Sequence, residues 1–174
     1  MKRQLRSIIL IFILILVGLL ISACGGAEPV SGSYVGKVDG SDAFIALVAQ
    51  KNGEVTASVC DGASISEWFR GSADGDTLEL ASKSGAHLAA DLAADSINGS
   101  FTPSGGSSLD FIASAVTEPA GLYRAEQTID GVDYVGGWIV LPGGEERGSI
   151  SGGGKFLSTS SGITRGWIDP EIAP

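Results

Sequence analysis

Apolar and polar residues alternate over short runs along most of this chain, and turn residues separate the runs. Val55, Ala57 and Val59 share one face, with Glu54, Thr56 and Ser58 on the other. Leu78 and Leu80 oppose Thr77 and Glu79, and Leu109, Phe111 and Ala113 repeat the pattern. A period of two is the signature of a half-buried strand. The runs at 35–38, 43–50, 55–60, 65–71, 77–81, 97–102, 109–115, 122–128 and 134–141 end at or near Asp-Gly, Asn-Gly, Ser-Gly, Gly-Gly or Pro signals, which permit tight turns. Residues 43–49 and 135–140 are apolar on both faces, as expected of central strands or strands covered on both sides. Residues 87–95 are rich in helix formers, yet Leu88, Ala90 and Leu92 alternate with His87, Ala89 and Asp91. They read as a strand, with a short helix as the alternative. Residues 163–168 offer a last strand anchored by Trp167. The pattern predicts an all-β fold, a small antiparallel barrel or sandwich of about ten short hairpin-linked strands.

The chain also repeats itself. Gly32-Ser-Tyr34, Asp39-Gly-Ser-Asp42, Leu47-Val-Ala49 and Gly53-Glu54 recur as Gly121-Leu-Tyr123, Asp130-Gly-Val-Asp133, Trp138-Ile-Val140 and Gly144-Glu145. From the Asp-Gly pair onward the offset is constant, and before it there is a two-residue gap. Two related β units are expected, too few for a solenoid. The text after Ser151, including Gly152-Gly-Gly-Lys155, reads as a flexible hairpin end.

The first residues break this pattern. Lys2, Arg3 and Arg6 precede an unbroken apolar run at 8–21, followed by Ser22-Ala23-Cys24-Gly25. A basic start, a short apolar middle and a small-residue exit make a secretory signal, and the run is short for a membrane span. Ile21-Ser22-Ala23-Cys24 resembles the lipobox of bacterial lipoproteins. The resemblance covers residues 1–24 only. It implies cleavage before Cys24 and a diacylglyceryl group on its thiol, two acyl chains being enough for stable anchoring. An uncleaved signal anchor is the competing reading. The inner-membrane retention signal that the family carries, Asp after the lipidated Cys, is absent, since Gly25 stands there. The expected organisation is a signal peptide at 1–23, Cys24 and a short tether to residue 32, a single β domain at 33–169 and a tail at 170–174. The expected location is outside the cytoplasm, lipid-anchored to the cell membrane, or to an outer membrane where the host has one.

Removing residues 1–23 takes away three basic and no acidic residues, so the formal charge of −9 becomes −12. So acidic a chain argues against nucleic acid as a partner. Besides Cys24 the only thiol is Cys60, so no internal disulfide is expected once Cys24 is lipidated. A single histidine, His87, rules out a two-His metal site, and no G-x-S-x-G or S-x-x-K motif supports nucleophilic catalysis. Gly152-Gly-Gly-Lys155 fails as a phosphate loop at Ser149 and at Phe156. Asp74-Gly-Asp76 and Asp130-Gly-Val-Asp133 read as turns rather than calcium loops. No cofactor or metal is expected. Cys60 lies beside Asp61 and reads as a strand-end residue rather than a reactive thiol.

The candidate surface is aromatic. In Glu67-Trp68-Phe69-Arg70, Trp68 and Arg70 share a face opposite Ile65 and Phe69. Trp and Arg together are enriched at binding hot spots, and core packing is the other reading of Trp68. The function expected is a non-enzymatic binding domain for an envelope protein, a polymer or a small molecule. The rival is an extracytoplasmic hydrolase with a dispersed carboxylate site, which needs two carboxyls facing one cleft.

Overall fold

The computed structural model describes residues 29–153, 155–157 and 166–167. The lipobox, Cys24 and the tail at 170–174 lie outside the described residues. The described chain is all-β: β1 (Gly32–Val38), β2 (Phe44–Ala49), β3 (Glu54–Cys60), β4 (Ser66–Ser72), β5 (Thr77–Ala81), β6 (His87–Leu92), β7 (Ser96–Thr102), β8 (Leu109–Val116), β9 (Gly121–Ile129), β10 (Val132–Val140), β11 (Glu146–Gly152), β12 (Lys155–Leu157) and β13 (Gly166–Trp167). The expected barrel and sandwich are both present. Strands β1 to β8 form one antiparallel sheet in the order β4-β3-β2-β1-β8-β7-β6-β5, nearly closed on itself. Strands β9 to β13 form a second sheet, in the order β12-β11-β10-β9-β13, packed on the outside of the first. The ambiguous stretch at 87–95 contains β6, because alternate Leu88, Ala90 and Leu92 reach the barrel interior.

Alternation decides which cluster each residue joins. Tyr34, Leu47, Ala57, Phe69, Leu88, Phe101 and Phe111 fill the barrel interior. From the opposite face of the same strands, Val35, Phe44, Ala46 and Val48 meet Leu122, Ile139 and Leu141 of the second sheet. Strand β2 is therefore buried on both faces throughout, as its doubly apolar text requires. Cations cap this inter-sheet layer. Phe44 lies under the Arg147 guanidinium at 4.5 Å and near the Lys37 ammonium at 5.4 Å, and Lys37 also pairs with Glu145 at 2.8 Å.

The internal repeat is structural. The meander β1-β2-β3 recurs as β9-β10-β11. Tyr34 faces Leu47 across β1 and β2, and Tyr123 faces Trp138 across β9 and β10. Leu47 faces Ala57, and Trp138 faces Gly148. The second turns match bond for bond. Gln50 N–H donates to Glu54 O at 2.8 Å and Gly53 N–H to Gln50 O at 2.9 Å; Leu141 N–H donates to Glu145 O at 2.9 Å and Gly144 N–H to Leu141 O at 2.8 Å. The two-residue gap falls at the end of the first strand of the hairpin, where β9 is nine residues long and β1 seven. Strands β9 and β10 join by a two-residue turn with Asp130 and Gly131 at φ 51° and 76°, the left-handed pair of a type I′ hairpin.

One reading is corrected. Gly152, read as the start of a flexible hairpin end, closes strand β11 (Glu146–Gly152), a strand that alternation alone did not mark. Only Ile150 is apolar in that stretch, but it is fully buried between Ala125 and Trp138. Trp138 occupies the space that side chains at Gly136 and Gly148 would fill, so this strand needs little apolar text of its own.

Candidate functional site

The site grows out of strand β4. Where the chain leaves β3, the Asp61 carboxylate accepts the N–H groups of Ala63, Ser64 and Ile65 at 2.7, 2.7 and 2.8 Å and the Ser64 hydroxyl at 2.8 Å. Partial burial alone would raise this carboxyl, but the four donors outweigh it and hold Asp61 below its ordinary value. A carboxylate with a depressed pKa stabilises the fold above its unfolded value, and that contribution fades as pH falls through the folded one. Asp61→Ala should therefore cost about 1 kcal/mol at neutral pH. The difference from wild type should shrink below the unperturbed 3.8. Urea unfolding at the two pH values checks this.

Beyond the loop, β4 alternates. Phe69 points into the barrel, where its ring meets Phe101 edge-on at 6.3 Å. Trp68 points outward and packs against the inter-sheet layer. Its ring lies on Gly137, where any Cβ would overlap it, and the Arg124 guanidinium sits over it at 5.7 Å. The two readings of Trp68 thus meet in one half-buried residue, with part of the indole in packing and part facing a cleft. Ser66 adds a 2.5 Å hydroxyl contact to Ser149 of β11. Glu67, on the Phe69 face but at the barrel rim, accepts the Ser84 hydroxyl at 2.7 Å.

The cleft holds about 740 Å³ between β4, residues 81–84 at the end of β5, and the second sheet. Trp68 and Arg70 both line it, so the two candidate residues share one surface. Lys83 and Arg124, which no sequence motif marks, join them. Alternation held a signal for Arg124, since it shares a face with Leu122, the face turned to the barrel. Arg124 also pairs with Glu126, whereas Arg70 and Lys83 are exposed and carry no ion pair among the described residues. Three of the seven lysines and arginines among the described residues therefore line this cleft, and Glu67 is its one lining carboxylate among them. Such a concentration on an acidic chain sets three cationic side chains around one opening, the arrangement that can hold an anion. Arg70 also borders a second depression of about 360 Å³ that continues along β4 past Thr56 and Gln50.

Other chemistry-bearing residues have structural places. Cys60 ends β3, is buried among Phe44 and Ile139, and burial pushes its thiol up; it accepts the Gly62 N–H at 3.3 Å. His87 is exposed on β6 opposite Ala81. Asp74 closes a turn through its backbone, and Asp133 accepts the Thr128 hydroxyl at 2.7 Å. Among the described residues no group of three or more His, Cys, Asp or Glu side chains is arranged to hold a metal ion, and no helix is long and apolar enough to cross a membrane. Comparison with protein-family profiles, with curated proteins and with solved structures found no match to this chain.

Proposed function

We propose that this chain is a bacterial lipoprotein, held outside the cytoplasm by a diacylglyceryl group on Cys24, whose β domain is a non-enzymatic binding module for an anionic partner in the cell envelope. The observation that carries the binding reading is the convergence of Trp68, Arg70, Lys83 and Arg124 on one cleft of a strongly acidic chain. A half-buried indole beside guanidinium groups supplies apolar contact and charge-assisted hydrogen bonds in one place. The carboxylate-pair hydrolase fits this cleft less well, because Glu67 is its one lining carboxylate among the described residues.

The anchor reading rests on the sequence at 1–24. An N-terminal lipid-modified Cys24 in the membrane fraction supports it, and an intact Met1 start removes it. For the module, capture from envelope extract should enrich a partner. Trp68→Ala should reduce that enrichment about tenfold, as loss of an aromatic hot spot does. Enrichment indifferent to Trp68 rejects the cleft as the binding site.

A further inference from the structure

Strands β4 and β5 are consecutive and antiparallel, yet they end the eight-stranded sheet at opposite edges. Their hairpin makes one rung. Asp74 N–H donates to Thr77 O at 2.9 Å and Thr77 N–H to Asp74 O at 3.1 Å. It then opens, and no further residue of β4 pairs with β5. Continuing the ladder would have set Ser72 opposite Glu79 and Arg70 opposite Ala81.

The backbone groups left over can be identified. In an antiparallel pair, alternate residues bond to a given neighbour. Ala73 N–H donates to Gly53 O at 2.9 Å at one end of the β3–β4 ladder, and Asp61 N–H to Ile65 O at 3.1 Å at the other. The register between them assigns Glu67, Phe69 and Gly71 to β3. The N–H and C=O groups of Ser66, Trp68 and Arg70 therefore point off the sheet edge. The side chains of these same three residues line the cleft. Across the gap, Ser82 N–H to Ala86 O and Leu92 N–H to Asp76 O assign Leu78 and Leu80 to β6, which turns the backbone of Ala81 toward the opening. A free strand edge is a template for another strand, and recognition by strand addition takes affinity from such an edge and specificity from neighbouring side chains.

We propose that an extended acidic peptide segment of a partner protein adds to β4 in this cleft, bonding through its backbone to Ser66, Trp68 and Arg70. The proposal rests on the reading of the cleft as a binding site and names its ligand. Arg70, Lys83 and Arg124 select acidic side chains, and the free backbone groups select a peptide over a polysaccharide of equal charge.

The test uses the full-length chain in detergent with three probes: a short capped peptide of alternating glutamate and threonine, its lysine–threonine counterpart, and an oligogalacturonate. The glutamate peptide should slow amide exchange at Ser66, Trp68 and Arg70 about tenfold or more, as new backbone hydrogen bonds do; the lysine peptide should not. Ser66→Pro removes an outward N–H that no ladder bond to β3 uses, and should weaken the peptide about tenfold, while Ser66→Ala, which keeps the N–H, should change it less than about threefold. Oligogalacturonate binding that depends on Trp68, with no amide protection by the glutamate peptide, would overturn strand addition and leave the binding cleft standing. If neither probe binds and envelope capture is indifferent to Trp68, both readings fall.

Discussion

Phe101→Ala is expected to lower the unfolding free energy by about 3–5 kcal/mol, measured by urea denaturation. Phe101 on β7 is fully buried, and its ring meets Phe69 of β4 at 6.3 Å and 85°. These strands lie on opposite sides of the open seam, at positions far apart in the sheet order. The pair therefore spans the barrel interior where no backbone ladder closes the wall. Truncation removes the apolar transfer energy of the ring and leaves a cavity that well-packed neighbours fill only in part. Phe101→Leu, which keeps most of the volume, should cost clearly less. If both variants cost less than about 1 kcal/mol, the barrel interior is not packed as described.

Gly36→Val should destabilise by about 3 kcal/mol, at the upper end for overpacking. Gly36 lies in the middle of β1, which pairs with β2 on one side and β8 on the other. A Cβ there would overlap the Ile112 carbonyl oxygen and come within 2.9 Å of its carbon. The obstacle is backbone, so no change of rotamer relieves it. The strain falls on β1–β8, the pair that joins the two halves of the barrel. Gly53→Ala gives a contrast, since it has open space but a φ of 85°. Its cost comes from backbone conformation alone and should be about 1 kcal/mol. Equal, small effects at both positions would contradict the close approach of β1 and β8.

Much of this fold was legible in the text. The alternation at Leu78 and Leu80, the Asp-Gly turns and the doubly apolar run at 43–49 report local geometry, which depends only on neighbouring residues. The recurrence of Gly32, Asp39 and Gly53 as Gly121, Asp130 and Gly144 reached further, because it foretold a matching register in β9-β10-β11. It also held the missing signal for β11: the offset that carries Leu47 onto Trp138 carries Ala57 of β3 onto Gly148. The Ser- and Gly-rich text hid that strand because Trp138 supplies the bulk its neighbours lack.

The site was half legible. Trp68 and Arg70 stand two apart, and a period of two puts them on one face. Lys83 and Arg124 reach them only through tertiary packing, one from beyond β5 and the other from the second sheet. No spacing along the chain encodes the failure of β4 and β5 to pair, since adjacent antiparallel strands ordinarily do.

That failure is the claim on which the site depends, and residue-resolved amide exchange in the ligand-free protein tests it directly. An open seam predicts alternation along β4, with Glu67 and Phe69 protected by β3 while Ser66, Trp68 and Arg70 exchange rapidly. Uniform protection from 66 to 70 would mean that the edge is already paired, and the cleft would then have no backbone to offer a partner.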